Sequence, residues 1–212
     1  MQGFASLRSI GSFSIPAGVK CFLQNTHVTT LRGEIPVEHL DAADFVQTPE
    51  RDWTAVEWVG FKKIAPRLSP PRTVNPICIR AGALGNNVPS RDLFVSPDHG
   101  ILVDGHLVDA RVLANGRSIF QVAQVPPEGF YYFHVETEDY MPFLAENTPS
   151  ESYIPPKSID ELATTQESGP LACASLRISS TYYLPDTIKT LVRTRALSIG
   201  AHRGEGLKTA YA

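Results

Sequence analysis

Apolar and polar positions alternate in short runs along most of the chain, with a period nearer two than 3.6, so strands are predicted ahead of helices. The sharpest case is Ile101-Leu102-Val103, Asp104-Gly105, His106-Leu107-Val108. Asp-Gly between two apolar triplets predicts a type I′ hairpin, whose twist matches that of its strands. Val19 to Thr30 is rich in Val, Phe and Thr and stops at Leu31-Arg32-Gly33-Glu34, which predicts a strand pair. Ile35 to Asp44 leaves room for a strand end and one helical turn. Phe45 to Thr48 and Thr54 to Ile64 read as further strands. Pro66 to Pro76 holds four prolines and is expected to be a loop or sheet edge. Ile77 to Arg80 is a short apolar run, and Gly129 to Val135 and Phe143-Leu144-Ala145 predict two late strands. Trp53, Trp58, Tyr131, Tyr132 and Phe133 are expected in the core.

The texture changes near Tyr153. Pro155-Pro156 and a polar run to Gly169 read as a linker. Pro185-Asp186 then predicts a helix start, with Ile188, Leu191, Val192 and Ile199 on one face and Gly200 as a stop. Lys189, Arg193 and Arg195 are expected on the exposed side of that packed helix. These boundaries divide the chain into a flanking segment 1–18, a β domain 19–154 and a linker with a helical tail 155–212.

Composition narrows the partners. A chain of 212 residues suits one main domain, and a net charge of -3 excludes nucleic-acid coating and polybasic membrane binding. No membrane span is expected. Met1 to Lys20 lacks an unbroken apolar stretch, which predicts a cytoplasmic protein, or one exported without an N-terminal signal peptide. Cys21, Cys78 and Cys173 are odd in number and form no CxxC pair, so neither a disulfide framework nor a thiolate metal site is expected.

Two segments can carry chemistry. Cys21 follows Gly18-Val19-Lys20 and opens a strand, so its thiol lies close to the Lys20 carbonyl. Attack there closes a five-membered ring with a high effective molarity. A thioester is less stable than an amide, so the shift needs the peptide held and the departing nitrogen protonated. An isolated cysteine in this setting reads more readily as a buried strand residue. In Ser96-Pro97-Asp98-His99, the imidazole can supply the proton and the hydroxyl can hold the peptide; alone, the same residues describe an ordinary turn. Asp98, His99, Asp104 and His106 lie close in sequence, but the hairpin splits them and no metal is expected. Gly82 to Asn87 lacks the lysine of a phosphate loop. No cofactor is called for.

Taken together, three motifs resemble a known family. Cys21-Phe22-Leu23-Gln24-Asn25-Thr26, Gly33-Glu34-Ile35-Pro36-Val37-Glu38-His39-Leu40 and Asp44-Phe45-Val46 are similar to the opening block of Hint domains, the module shared by inteins and Hedgehog autoprocessing proteins. Ser96-Pro97-Asp98-His99 is similar to the second block. Phe133-His134-Val135-Glu136 through Phe143-Leu144-Ala145-Glu146, with Glu151-Ser152-Tyr153, resembles the closing block of a bacterial Hint subgroup. The resemblance implies an all-β, compact, horseshoe-like Hint-type fold with a C-terminal linker and α-helical tail. It implies Cys21 as nucleophile, Ser96 as hydroxyl partner, His99 as proton donor and His134 as a polarising group from the side.

Three departures limit what the resemblance implies. Asn147-Thr148-Pro149 has no preceding His, so splicing is not expected. Tyr140 stands where relatives often carry a His. Gly60 and Phe61 stand where a sterol-transferring relative has an acidic residue. The expected function is single-turnover autocatalytic cleavage: an N–S acyl shift at Lys20-Cys21 gives a thioester that water or a small nucleophile resolves. The substrate is the chain's own N-terminal peptide, and the protein is expected to be a monomer. The alternative is a non-catalytic β-rich interaction or scaffold module derived from a Hint domain. A cysteine hydrolase acting in trans, with Cys21, His99 and Asp92 or Asp98, ranks third.

Overall fold

The computed structural model describes Arg8–Ser9, residues 20–153 and residues 177–199. The linker expected after Pro155 falls almost wholly outside these residues, as does Gly200. The strands are β1 (Arg8–Ser9), β2 (Phe22–Leu23), β3 (His27–Thr30), β4 (Gly33–Pro36), β5 (Phe45–Gln47), β6 (Trp53–Ile64) and β7 (Ile77–Ile79). They continue with β8 (Leu93–Val95), β9 (Gly100–Val103), β10 (His106–Asp109), β11 (Ile119–Gln121), β12 (Phe130–Thr137), β13 (Phe143–Ala145) and β14 (Thr148–Ser150). The fold is all-β, with a C-terminal helix at Asp186–Ile199.

The strands link into a single path, β10-β9-β14-β13-β3-β5-β6-β12-β2-β8-β7-β11, with β1 against β6 and β4 against β3. The 12-residue β6 joins the two halves: its first three residues pair with β5 and the rest, apart from Glu57 at a bulge, with β12. A strand this long can serve two neighbours in turn, which short strands cannot do. At β2 the period of two decides what each side chain meets. Phe22 enters the larger apolar core, while Cys21 before the strand and Leu23 within it enter a smaller one with Ile64, Cys78, Phe130 and Tyr132.

The predicted hairpin forms β9 and β10, with Asp104 at φ 49° and Gly105 at φ 73°, the two left-handed residues a type I′ turn requires. The proline-rich segment differs from the expected loop: Pro66–Leu68 forms a 3-10 turn and Pro71–Val74 one α-helical turn. Proline at the first helical position costs no hydrogen bond, which explains both. The core aromatics also divide differently. Tyr132 and Phe133 are buried, but Trp53 and Tyr131 are exposed, because Trp53 begins its strand and Tyr131 points outward from β12 toward Phe61 and Lys63.

The C-terminal helix packs through Ile188, Val192 and Ala196, spaced four apart on one face. Arg195 donates to Gly82 O at 2.8 Å and Asn86 Oδ1 at 3.2 Å, fixing the helix to the 82–87 loop. Just before the helix, Ile178 bridges Val108 and exchanges backbone hydrogen bonds with Leu107 and Asp109, extending the sheet beyond β10. No described helix is long and apolar enough to cross a membrane.

Candidate functional site

Cys21 is held from two directions by one residue. Its N–H donates to Ser96 Oγ at 3.0 Å, and its carbonyl accepts from Ser96 N at 2.9 Å. Ser96 can do both because it follows β8, whose Val95 pairs with Phe22 of β2. The amide nitrogen that would leave in an acyl shift is therefore already gripped by a hydroxyl.

The other end of the same peptide belongs to His134. Its Nδ1 lies 3.0 Å from Lys20 O, and since a carbonyl only accepts, Nδ1 carries the proton and Nε2 is the free lone pair. Cys21 Sγ lies 3.5 Å from Nε2 and 3.7 Å from Nδ1. The ring projects from the middle of β12, where His134 pairs with Gly60 of β6, and it contacts Tyr153 edge-on at 5.0 Å and Trp58 at 6.5 Å. The indole occupies the space above Gly60: a Cβ there would meet Trp58 Cη2 at 2.0 Å.

His99 follows Ser96 on the turn, with its N–H donating to Ser96 O at 3.1 Å. Its ring is buried against Phe22, centroids 4.3 Å apart, and neither ring nitrogen has a hydrogen-bond partner among the described residues. Glu151, Arg177, Lys20 and His134 surround it electrostatically. Thus Cys21, Ser96 and His134 are joined directly, and His99 stands one turn from Ser96, against Phe22.

Burial sets the ionisation of all three titrating groups. It pushes the Cys21 thiol well above its ordinary value, against the opposing pull of Ser96 and Lys62. It lowers His134 to about 4, opposed by the bond to Lys20 O and reinforced by Lys62. It lowers His99 to about 3, opposed by Glu151 and reinforced by Arg177 and Lys20. At rest, therefore, the site holds a neutral thiol and two neutral imidazoles.

The remaining sequence candidates lie elsewhere. Asp98 pairs with Arg111, and His106 Nδ1 faces Asp104 O at 2.8 Å. Asp92 accepts from Ala81 N at 2.8 Å, so neither Asp92 nor Asp98 orients the His99 ring as a trans-acting triad would need. Asn147 sits in the β13–β14 turn, donating to Asn87 O at 2.8 Å. Glu151 and Arg177 were not among the expected site residues, and Trp58, expected in the core, is half-buried against His134 instead. The motif Glu151-Ser152-Tyr153 pointed toward the first, while Arg177 carries no local signal because its partners are brought to it by the fold.

A continuous all-β path, a cysteine opening β2 and a Ser-x-x-His turn locking that cysteine's backbone define a Hint-type domain. The family model described as Hint domain matches residues 20–157, and the chain belongs to that family. The family supports an autoprocessing type of domain in general and makes a derived scaffold the less favoured reading. Among solved structures it is similar to the bacterial intein-like domain from Clostridium thermocellum, at 15% identity over 64% of this chain and 99% of that one, with a TM-score of 0.47. It is also similar to the gp41-1 intein, at 12% identity over 63% and 98%, TM-score 0.45. The MchDnaB-1 intein is similar at 13% over 61% and 98%, TM-score 0.45. At such scores these likenesses add nothing to the family assignment. No curated protein matches the chain.

Proposed function

We propose that the domain, drawn as residues 19–154 with a tail from 155, cuts its own chain before Cys21. The observation that supports this most is the placement of one neutral imidazole against both reacting atoms, Lys20 O and Cys21 Sγ. Nε2 of His134 takes the thiol proton, and the thiolate forms a bond to the Lys20 carbonyl carbon. Negative charge gathers on Lys20 O, where the imidazolium already donates through Nδ1. The C–N bond then breaks, and the nitrogen, released from Ser96, receives the proton by way of His99. The net change moves one acyl group from N to S and one proton from S to N. Water or a small thiol next attacks the thioester, freeing Met1–Lys20 and restoring the Cys21 thiol.

The unpartnered ring of His99 supports its part in the second half. A buried polar group without a partner costs about 1–3 kcal/mol, which is repaid when a partner forms in the reacting state. Because the thioester is less stable than the amide it replaces, the resting chain stays whole until a nucleophile draws the thioester off. No cofactor or metal enters these steps, and one chain turns over once.

The test is the mass of the purified chain. Thiol treatment is expected to remove Met1–Lys20 from wild type and to leave Cys21→Ala whole. Only full-length mass after prolonged thiol or hydroxylamine treatment, with Cys21 inert to an alkylating probe, would overturn the reading in favour of the scaffold alternative.

A further inference from the structure

One charge cluster beside the site is not used by the cleavage steps. Lys20, the residue on the acyl side of the bond, extends its ammonium to Glu151 Oε2 at 2.8 Å. Arg177 Nη1 reaches the same oxygen at 2.7 Å, and its Nη2 meets Asp109 Oδ1 at 2.7 Å. Glu151 Oε1 accepts a hydrogen bond from Gly100 N, while Glu151 N donates to Gly100 O at 3.0 Å. Gly100 follows His99, and a Cβ there would stand 2.8 Å from Glu151 Cδ. The backbone thus leaves a seat for this carboxylate, whose side chain is only 6% exposed.

We propose, building on the cleavage reading, that Glu151 is the floor of a subsite for a cationic side chain immediately before the nucleophile, and that Arg177 completes it. The substrate class is an upstream peptide ending in lysine or arginine. An ion pair through Lys20 fixes the residue whose carbonyl must stay on His134, so side-chain recognition and alignment of the scissile carbonyl are one act.

Arg177 gives the subsite a second state. Once Lys20 leaves with the upstream peptide, a lone buried carboxylate would be strongly disfavoured. Arg177 remains on Glu151, so the seat keeps its charge partner after the product departs. This also assigns the segment around 177 to the site, although it lies beyond the closing motif in sequence. The ion pairs continue from Asp109 to Arg111 and Asp98, so that Asp98, Asp109 and Glu151 face Lys20, Arg111 and Arg177 as three negative and three positive charges.

The test uses the full chain and two readouts. Thiol-induced cleavage is expected to persist within about threefold in Lys20→Arg and to fall about 10- to 100-fold in Lys20→Met, the range of a charge-assisted contact. In Glu151→Gln the Lys20→Met change is expected to have little further effect, as a double-mutant cycle demands of a direct pair. Independently of cleavage, Lys20 in the Cys21→Ala chain is expected to resist acylation by an N-hydroxysuccinimide ester, and Glu151→Gln to raise its reactivity about tenfold.

Equal Lys20 acylation in both chains, or Lys20→Met cut as fast as wild type, would overturn the proposal. A chain that never cleaves but shows the acylation difference keeps the cationic seat and removes the cleavage reading instead. If Glu151→Gln does not fold, the Lys20 variants decide alone, since the Lys20 side chain is partly exposed and belongs to neither apolar core.

Discussion

His134 lies in the middle of an eight-residue strand, and His99 ends a turn between two short ones. The first ring is bonded to Lys20 O and flanked by Trp58 and Tyr153; the second packs on Phe22 with both nitrogens bare among the described residues. Both are driven neutral by burial, His134 to about 4 and His99 to about 3. The same side chain thus occurs once with its resting bonds complete and once with them withheld. A complete ring suits a group that acts on the ground-state peptide. A withheld one suits a group whose partner appears only as the nitrogen leaves.

The largest effects separate the two roles by pH. His134→Ala and His99→Ala are each expected to slow thiol-induced cleavage by about 10²–10⁴-fold, the usual contribution of a positioned acid or base. Their profiles should differ. With His134 as base the thiol proton moves within the site, so the wild-type rate under saturating nucleophile is level between about pH 5 and 8. In His134→Ala hydroxide must take that proton, and the rate should climb about tenfold per pH unit. His99→Ala should be slow and level. A wild-type rate that climbs in the same way would remove His134 from the role of base.

The next effect is on stability. Each imidazole has an ordinary value of 6.5 and a depressed one in the fold, so between these values the unfolded chain binds protons that the folded chain does not. Stability is therefore full above 6.5 and lost as pH falls toward the folded values, at up to ~1.4 kcal/mol per unit for each ring. His99→Leu should flatten that slope in urea melts. At neutral pH it should also stabilise by about 1 kcal/mol, since it removes two unsatisfied nitrogens, whereas His134→Leu should destabilise by about 1–2 kcal/mol by stranding Lys20 O. Equal losses in both would show that the bare nitrogens of His99 carry no cost.

The difference between the two histidines was only half visible in the sequence. The Ser96-to-His99 motif is local, so spacing alone placed the hydroxyl and the ring on one turn. The contact of His134 with Cys21 spans 113 residues and depends on β12 lying beside β2, which alternation cannot specify. The hairpin at Asp104-Gly105 and the strands at 45–47 and 54–64 follow from turn chemistry and β-branched runs. Leu93–Val95, Ile119–Gln121 and Thr148–Ser150 are three residues each, too short to show a period. The helical turns at 66–74 were hidden by prolines that sit at turn starts, where they do no harm. Glu151 and Arg177 belong together only because Ile178 docks on β10.

The smallest expected effect tests what holds the satisfied ring in place. Gly60 stands across from His134, and its missing side chain is what lets the Trp58 indole cover that point of β6. No positive φ is required there, so Gly60→Ala introduces a collision with the indole and no backbone strain. The indole must swing aside, loosening one wall of the slot in which Nδ1 finds Lys20 O. In a Trp53→Phe background, which leaves Trp58 as the sole tryptophan, Gly60→Ala should shift the emission to longer wavelength. Cleavage should fall by about three- to tenfold, consistent with a misplacement well short of losing the ring. Adding Trp58→Ala to Gly60→Ala should cost little more, because the wall is already displaced. Unchanged emission and rate in Gly60→Ala would mean that the indole does not orient His134, leaving the hydrogen bond to Lys20 O and the edge of Tyr153 as what fixes the ring.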